Sequence, residues 1–262
     1  MSAQVLVWVI SLDAPRAVVR RCTRWLDAAE RSRMQRLRDV GERRRFAVAH
    51  GAMREILGAR LGCPPQVLVF SYGRFGKPEL SWPRPRARRL AFNLSHSGTV
   101  ALLAVAWDLP VGVDIQYAHD PVEVERLARR VFSPAEQREL LRLPPARRRE
   151  AFFLGWTRKE AYVKALGRGI YHSFQDFDVR LTPSGSATLL RTCPEARRWR
   201  LFDLPVGDGY KAALAAPAAV SGFELRVWEP RTRAKRCAPS GSVRWRRQRE
   251  ADTVRAQALQ PT

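Results

Sequence analysis

The most informative stretch of the chain runs Trp156-Thr157-Arg158-Lys159-Glu160-Ala161-Tyr162-Val163-Lys164-Ala165-Leu166-Gly167-Arg168-Gly169. Within it Trp156, Glu160 and Lys164 are spaced four positions apart, which places them on one stripe of an α-helix. By spacing alone, a surface pair of Glu160 and Lys164 beside a core tryptophan is the commoner arrangement. The Gly-x-Gly that follows favours the end of the helix, because glycine readily adopts the left-handed backbone found there. We therefore predict a helix from about Glu150 to Leu166.

The elements around this helix repeat an earlier part of the chain. An apolar segment follows it at 177–180, and further apolar runs follow at 189–190 and 199–216. An earlier helical stretch, 42–61, is followed in the same order by apolar runs at 67–70, near 80 and at 91–107. Chance alignment of common apolar residues is the alternative to a true repeat. Six pairs of residues stand 110 positions apart: Phe46 and Trp156, Val67 and Phe177, Val69 and Val179, Leu80 and Leu190, Phe92 and Phe202, and Leu94 and Leu204.

Within each run the matched residues are two positions apart, as in Val67 and Val69 or Phe92 and Leu94. Residues at this spacing lie on the same face of a strand, so the pattern indicates one buried face of a sheet. We therefore predict an α+β fold of two similar α+β halves, residues 1–110 and 111–230. A ligand site is expected in the cleft between them, because pockets favour such interfaces. Residues 231–262 carry nine basic and two acidic residues and few apolar ones. We predict that they form a disordered basic tail, either a solvated extension or a polyanion-binding segment.

The formal net charge of +22 favours polyanionic partners, among them nucleic acid, an anionic membrane or a small acidic protein. Of the 47 basic residues only five are lysines, so the excess of arginine weakens the charge as a functional argument. The four cysteines are scattered, which supports neither a zinc site nor a redox motif and suggests a cytoplasmic protein. No apolar run approaches the roughly 20 residues that span a bilayer, so we expect no membrane segment.

Three further motifs contain side chains that could bind a phosphate, a nucleotide or a metal ion. Gly76-Lys77-Pro78 has the composition of a turn, and a lysine at its tip can equally reach a phosphate or a nucleotide base. The second motif, Phe92-Asn93-Leu94-Ser95-His96-Ser97-Gly98, precedes the predicted strand 99–107. At such a turn, small polar side chains, a histidine and backbone N–H groups can hold phosphate oxygens together. An ordinary hairpin with an exposed histidine is the alternative.

The last motif, Val111-Gly112-Val113-Asp114-Ile115-Gln116, has the pattern of a strand. Asp114 and Gln116 then point to one face, with Ile115 in the core. Two oxygen-bearing side chains at this spacing suit Mg²⁺, which keeps waters and binds substrate phosphates. A single carboxylate is a weak ligand set for Mg²⁺, so we expect a third ligand from elsewhere in the chain. The alternative is a polar strand end leaving the core.

In combination and order, the four motifs resemble those of the Sfp-type 4′-phosphopantetheinyl transferases. The resemblance runs from about Arg43 to Tyr210, and the motifs at 92–97 and 156–169 are the diagnostic ones. It implies a pseudo-dimer of two α+β halves with coenzyme A in the cleft between them. It also implies the reaction: transfer of phosphopantetheine from coenzyme A to a serine of an apo acyl or peptidyl carrier protein, with Mg²⁺, releasing adenosine 3′,5′-bisphosphate. Such carriers are small and acidic, and we expect a monomeric enzyme.

The resemblance also implies roles for individual residues. Asp114, Gln116 and Glu160 would be Mg²⁺ ligands, although the family commonly has an acid where Gln116 stands. Glu160 would help deprotonate the serine, and Lys164 would neutralise charge on the transferring phosphate.

Contacts to coenzyme A follow in the same way. The expected positions are Ser95 and His96 at its phosphates, Lys77 and Pro78 near its adenosine, and Arg45 near its 3′-phosphate. A basic nucleic-acid-binding module and a transferase-like protein without activity remain as alternatives. The first explains neither the placement of the lysines nor the order of the motifs, and the second would take Gln116 as a sign of lost function.

Overall fold

The structure is a computed structural model that describes residues 4–74, 76–83, 88–167, 174–182, 189–191, 196–230 and 243–244. It confirms the mixed α+β class predicted from the sequence. Pro183-Ser184-Gly185, a sequence that predicts a turn, lies outside the described residues. Residues 168–169 of the motif at 156–169 and most of the basic tail lie outside them too. No helix of the described residues is both long and apolar enough to span a membrane.

The described residues of the first half form five strands and three α-helices. In chain order they are β1 (Val5–Ser11), α1 (Arg16–Trp25), α2 (Ala28–Arg36), α3 (Val40–Leu61), β2 (Val69–Tyr72), β3 (Pro78–Trp82), β4 (Leu90–Ser97) and β5 (Val100–Trp107).

Among the described residues, the second half repeats this order and adds one strand at its end. Its elements are β6 (Gly112–Tyr117), α4 (Val124–Val131), α5 (Pro134–Arg142), α6 (Pro145–Leu166), β7 (Asp178–Val179), β8 (Leu189–Arg191), β9 (Trp199–Asp203), β10 (Tyr210–Pro217) and β11 (Phe223–Val227). The segment predicted to be a disordered tail contains a two-residue strand, β12 (Val243–Arg244), which pairs with β11, so the prediction is corrected at these two residues. The repeated order agrees with the prediction of two similar halves.

The predicted spacing of 110 residues holds for part of the repeat only. Strands β5 and β10 have eight residues each and lie 110 positions apart. Helices α3 and α6 have 22 residues each and lie 105 positions apart, as do the glycines that end them, Gly62 and Gly167. The match of Phe46 with Trp156 is therefore wrong, because the second half has extra residues between its long helix and the strand that follows. A strand from Val67 is also corrected, since Pro65–Val67 form a 3-10 helix.

The two halves are joined through their sheets. One sheet has the order β12-β11-β1-β5-β4, and another has the order β6-β10-β9. Strand β11 of the second half lies parallel to β1 of the first. A shared apolar core, drawn from β1, β5, β6 and β10, lies between the two sheets. Each half has a second core beneath its own long helix.

Candidate active site

Asp114 is at the centre of the site. It lies on β6 with 1% of its surface exposed, and Ser95 of β4 donates a hydrogen bond to its Oδ1 (2.8 Å). The Lys164 ammonium, from the last turn of α6, forms an ion pair with the same oxygen and donates to Ser95 Oγ (3.2 Å). A buried carboxylate requires such partners, because leaving water costs it far more than a neutral group. Residues of both halves therefore meet at one carboxylate.

Helix α6 can lie close to β6 because Gly112 has no side chain. A Cβ at this position would come within 2.1 Å of Ala161 O and 2.3 Å of Ala165 N. The helix backbone thus rests directly on the strand, and the residues on the facing stripe of α6 come near Asp114.

Glu160 is one turn before Lys164 on that stripe. Burial raises the pKa of Glu160 above its usual value, the charge of Lys164 lowers it, and that of Asp114 raises it further. The two carboxylates therefore lie within electrostatic reach of each other, as two metal ligands must. An ionised Glu160 in this setting is a stronger base than a solvent-exposed glutamate.

Gln116 shares the face of Asp114, as predicted from the alternation of the strand. Its Nε2 donates to Asp114 Oδ2 (3.3 Å), so the amide nitrogen faces the carboxylate. Metal ligation by Gln116 would use the amide oxygen and so requires the opposite orientation of the amide. The role of Gln116 as a ligand stays a prediction.

The donor set suits Mg²⁺ in its chemistry. No group of three or more His, Cys, Asp or Glu in the described parts of the chain could hold a metal ion by itself. Mg²⁺, however, is usually bound by one or two carboxylates, with waters and substrate phosphates completing its shell. The carboxylates of Asp114 and Glu160 would supply that kind of partial shell, and Gln116 could add to it only with its amide in the opposite orientation.

The polar residues of the second motif lie along β4 and not at the turn that follows it, which corrects our expectation. Asn93 Oδ1 accepts a hydrogen bond from the amide of Val113 (2.8 Å), and Ser97 Oγ accepts one from the amide of Tyr117 (2.9 Å). Together with Ser95, they join β4 to β6 by side-chain bonds. These residues therefore hold Asp114 in place as well as lining the site.

His96 lies on the opposite face of β4 from Ser95 and Ser97 and is exposed. Partial desolvation by the surrounding protein, together with the charges of His50 and Lys164, lowers the pKa of His96, while Glu42 and Asp114 oppose the shift. The imidazole is therefore within electrostatic reach of the first half of α3 and of the end of α6. His50 and Glu42 were not identified from the sequence, because only the packing of α3 brings them near His96.

Three residues that the resemblance assigns to the adenosine end occupy different surroundings. Lys77 is turned into the protein, where its ammonium donates to Lys164 O (2.6 Å). Pro78 begins β3 opposite Tyr72. Arg45 of α3 forms an ion pair at 3.8 Å with Asp13, which follows β1 in the chain. Their contacts with coenzyme A stay predictions.

Comparison with known proteins agrees with this geometry. Residues 110–215 match the 4′-phosphopantetheinyl transferase superfamily. The chain is 37% identical over 231 residues to the 4′-phosphopantetheinyl transferase HetI of Nostoc sp., across 88% of this chain and 92% of that protein. It is 30% identical to a 4′-phosphopantetheinyl transferase of Bacillus subtilis, across 78% of this chain and 94% of that one. It is 25% identical to Sfp of Bacillus subtilis, across 73% and 82% respectively.

Because these matches cover 73% to 88% of the chain, each of them includes parts of both halves. Proteins of this family use coenzyme A, generally depend on a metal, and transfer phosphopantetheine to carrier proteins. The chain belongs to the 4′-phosphopantetheinyl transferase family and is a transferase that acts on carrier proteins.

Proposed function

We propose that the chain transfers phosphopantetheine from coenzyme A to a carrier serine in a Mg²⁺-dependent reaction at Asp114, Glu160 and Lys164. The observation that carries this proposal is the meeting of three groups at one place: a buried carboxylate, a lysine paired with it and a second carboxylate of raised pKa. That set can bind a cation, neutralise phosphate charge and accept a proton.

The protein groups divide the work of the transfer. Glu160 accepts the proton of the serine hydroxyl, whose oxygen forms a bond to the β-phosphorus of coenzyme A. The bond from that phosphorus to the bridging pyrophosphate oxygen breaks, and adenosine 3′,5′-bisphosphate leaves. A positioned general base of this kind contributes about 10²–10⁴-fold to the rate.

Lys164 and His96 would stabilise the phosphoryl oxygens during this step. Mg²⁺, when bound to Asp114 and Glu160, supplies charge neutralisation on the pyrophosphate. Ligation by Asp114 would also weaken its hold on Lys164, so that this ammonium can pair with a phosphate oxygen.

The basic surface suits an acidic carrier, because complementary charge speeds encounter between the two proteins. The formal charge of +22 also opposes self-association, so we propose that the enzyme acts as a monomer. The thiols Cys22 and Cys63 are free, which suits a cytoplasmic enzyme.

The test is mass spectrometry of candidate apo carrier proteins incubated with the enzyme, coenzyme A and Mg²⁺. We expect a gain of one phosphopantetheine mass on the carrier. The gain should disappear with a chelator, and also when the acceptor serine of the carrier is replaced by alanine. Unmodified fatty-acid, polyketide and peptide-synthetase carriers under these conditions would contradict the proposal.

A further inference from the structure

The side chain of Lys77 links the first half of the molecule to the two elements that carry the proposed catalytic groups. Its Nζ lies 3.1 Å from Val111 O, 2.6 Å from Lys164 O and 3.4 Å from Ala165 O. The first oxygen precedes β6, which bears Asp114, and the other two end α6, which bears Glu160.

The oxygens of Lys164 and Ala165 are suitable acceptors because they belong to the end of α6. The last carbonyls of a helix lack partners within it, and the helix dipole makes that end negative. Gly167, in the left-handed conformation, satisfies part of this need through its amide, which reaches Val163 O and Lys164 O. The Lys77 ammonium satisfies more of it and adds the favourable charge.

The loop that carries Lys77 is itself fixed. The amide of Gly73 donates to Lys77 O (3.0 Å), and the amide of Gly76 donates to Gly73 O (2.9 Å). Gly76 has a φ of +78°, a conformation that other residues rarely adopt. Lys77 therefore extends from a closed turn between β2 and β3, and not from a freely moving loop.

The contact of α6 with β6 at Gly112 sets how near the helix lies. Bonds from one ammonium to both elements add a direct polar link between the end of the helix and the start of the strand. We propose that Lys77 is a positioning residue: it holds the end of α6 against the start of β6, so that Glu160 and Lys164 stay in register with Asp114.

This inference rests on the proposed function for those three residues. It also explains why a lysine stands here in a chain with 42 arginines. A compact ammonium directs three protons toward three separate oxygens, whereas a planar guanidinium has a different shape and needs more room. With those protons used inside the protein, any contact of Lys77 with adenosine would come from its main chain or its aliphatic stem.

The burial of Lys77 also changes the pKa of its ammonium group. Desolvation lowers the pKa of Lys77 to about 8, against the charge of Glu79, which raises it. The three carbonyl acceptors stabilise the charged form of Lys77, so the ammonium keeps its proton at neutral pH.

The test compares Lys77→Met with Lys77→Arg, and takes Arg126→Met, at an exposed site on α4, as the control for loss of one positive charge. The first measurement is amide hydrogen exchange of the protein without metal or substrates. We expect faster exchange in Lys77→Met at residues 163–167 and 111–113, with the rest of the chain unchanged. This readout needs no activity, so it separates failure of the positioning role from failure of the proposed function.

The second measurement is steady-state kinetics. We expect kcat of Lys77→Met to fall about tenfold to a hundredfold, the usual effect of a small misplacement of reacting groups, with KM for coenzyme A within about twofold. A raised KM at unchanged kcat would overturn the inference in favour of direct adenosine contact. Unchanged exchange at 163–167, or an equal rise across the whole chain, would overturn it too. If Lys77→Met does not fold, the same outcomes are read from Lys77→Arg, for which we expect smaller shifts in the same direction.

Discussion

Helices α3 and α6 occupy equivalent places in the two halves and share one supporting arrangement. Each follows a short helix whose capping-box glutamate is buried, Glu30 in one half and Glu136 in the other. A buried basic residue of the long helix pairs with that glutamate. Arg54 Nε lies 2.7 Å from Glu30 Oε2, and Lys159 Nζ lies 2.7 Å from Glu136 Oε2.

The helices differ in the face that each turns toward the first strand of its half. Trp8 of β1 pairs with Leu103, and Asp114 of β6 pairs with Ala213, at the same place in β5 and β10. Trp8 therefore stands where the second half has Asp114. Shifted by the 105 residues that separate the helices, Glu160 corresponds to Glu55 and Lys164 to Ala59.

The difference shows how one scaffold serves two purposes. In the first half, Trp8 is 7% exposed and belongs to the apolar core beneath α3. In the second half, the equivalent space holds a carboxylate that needs Ser95 and Lys164 as partners. The first half has no carboxylate at this place. It contributes residues of β4 and the turn that carries Lys77 to the site in the second half.

The largest effect on activity is expected at Glu160, and none is expected at its counterpart in the first half, Glu55. Glu160→Gln should lower kcat by about 10²–10⁴-fold, since it removes the proposed base and one metal charge. The fold should persist, because a partly buried carboxylate of raised pKa loses little when a neutral amide replaces it. Glu55→Gln should keep wild-type activity, since its amide oxygen can still accept the bond from Trp228 Nε1.

Steady-state transfer assays and thermal melts of both variants provide the comparison. Near-normal turnover of Glu160→Gln would reduce Glu160 to a surface partner of Lys164. Equal losses in the two variants would mean that the assay reports stability and not catalysis.

The next effect concerns the buried pairs that both halves share. Lys159→Met and Arg54→Met should each lower the free energy of unfolding by about 3–5 kcal/mol, because each leaves a buried carboxylate without its cation. Burial already raises the pKa of Glu136 despite the charge of Lys159, whereas the pKa of Glu30 is lowered, since His50 and Arg54 together outweigh its burial.

Urea unfolding at several pH values checks this prediction. A carboxyl group whose folded-state pKa is raised costs stability as the pH rises above its unfolded value. The loss in Lys159→Met should therefore shrink as the pH falls through the raised folded-state pKa of Glu136 and below 4.5, where Glu136 is neutral in both states. A loss independent of pH would show that packing of the lysine stem, not its charge, is what matters. The exposed Arg126→Met should change stability by less than about 1 kcal/mol.

A smaller effect is expected at Gln116, whose counterpart in the first half is the buried Ile10. Gln116→Glu should lower the Mg²⁺ concentration for half-maximal rate by about threefold to tenfold, because hard cations depend on ligand charge. Repulsion among three carboxylates opposes this effect, but the bound cation is the larger local charge. A Mg²⁺ titration of initial rate at saturating coenzyme A measures the change, with KM for the carrier as the control. An unchanged or higher half-maximal concentration would mean that residue 116 is not a metal ligand.

The smallest effect tests a contribution of the first half. Because the pKa of His96 lies below its usual value of 6.5, the neutral imidazole is the major form in the free enzyme near that pH. A nearby phosphate would raise that pKa, so binding of coenzyme A should be accompanied by uptake of a fraction of a proton. Calorimetry in buffers of different ionisation enthalpy measures this uptake. His96→Gln should lower it, and equal uptake by both proteins would mean that His96 does not contact a phosphate.

Several features followed from the sequence because they depend on local spacing. Asp114 and Gln116 share a face since strand side chains alternate, and Glu160 and Lys164 share a stripe since a helix turns once in 3.6 residues. The last residues of both long helices, Leu61 and Leu166, and the family itself were also within reach of the sequence, whereas α6 begins at Pro145, five residues before the predicted start. Motif order determined the family, and the end of each long helix was marked by glycine.

The tertiary structure alone decided what these groups touch. Lys77 reaches oxygens 34 to 88 positions away, Asn93 and Ser97 bind amides of β6, and Trp8 fills the place equivalent to Asp114. The 105-residue register of the helices was hidden by a 110-residue match between apolar residues that are common in any core. Local spacing constrains which side chains share a surface, whereas partners distant in the chain are set by how helices and sheets pack, because a hydrogen bond tolerates errors of only a few tenths of an ångström.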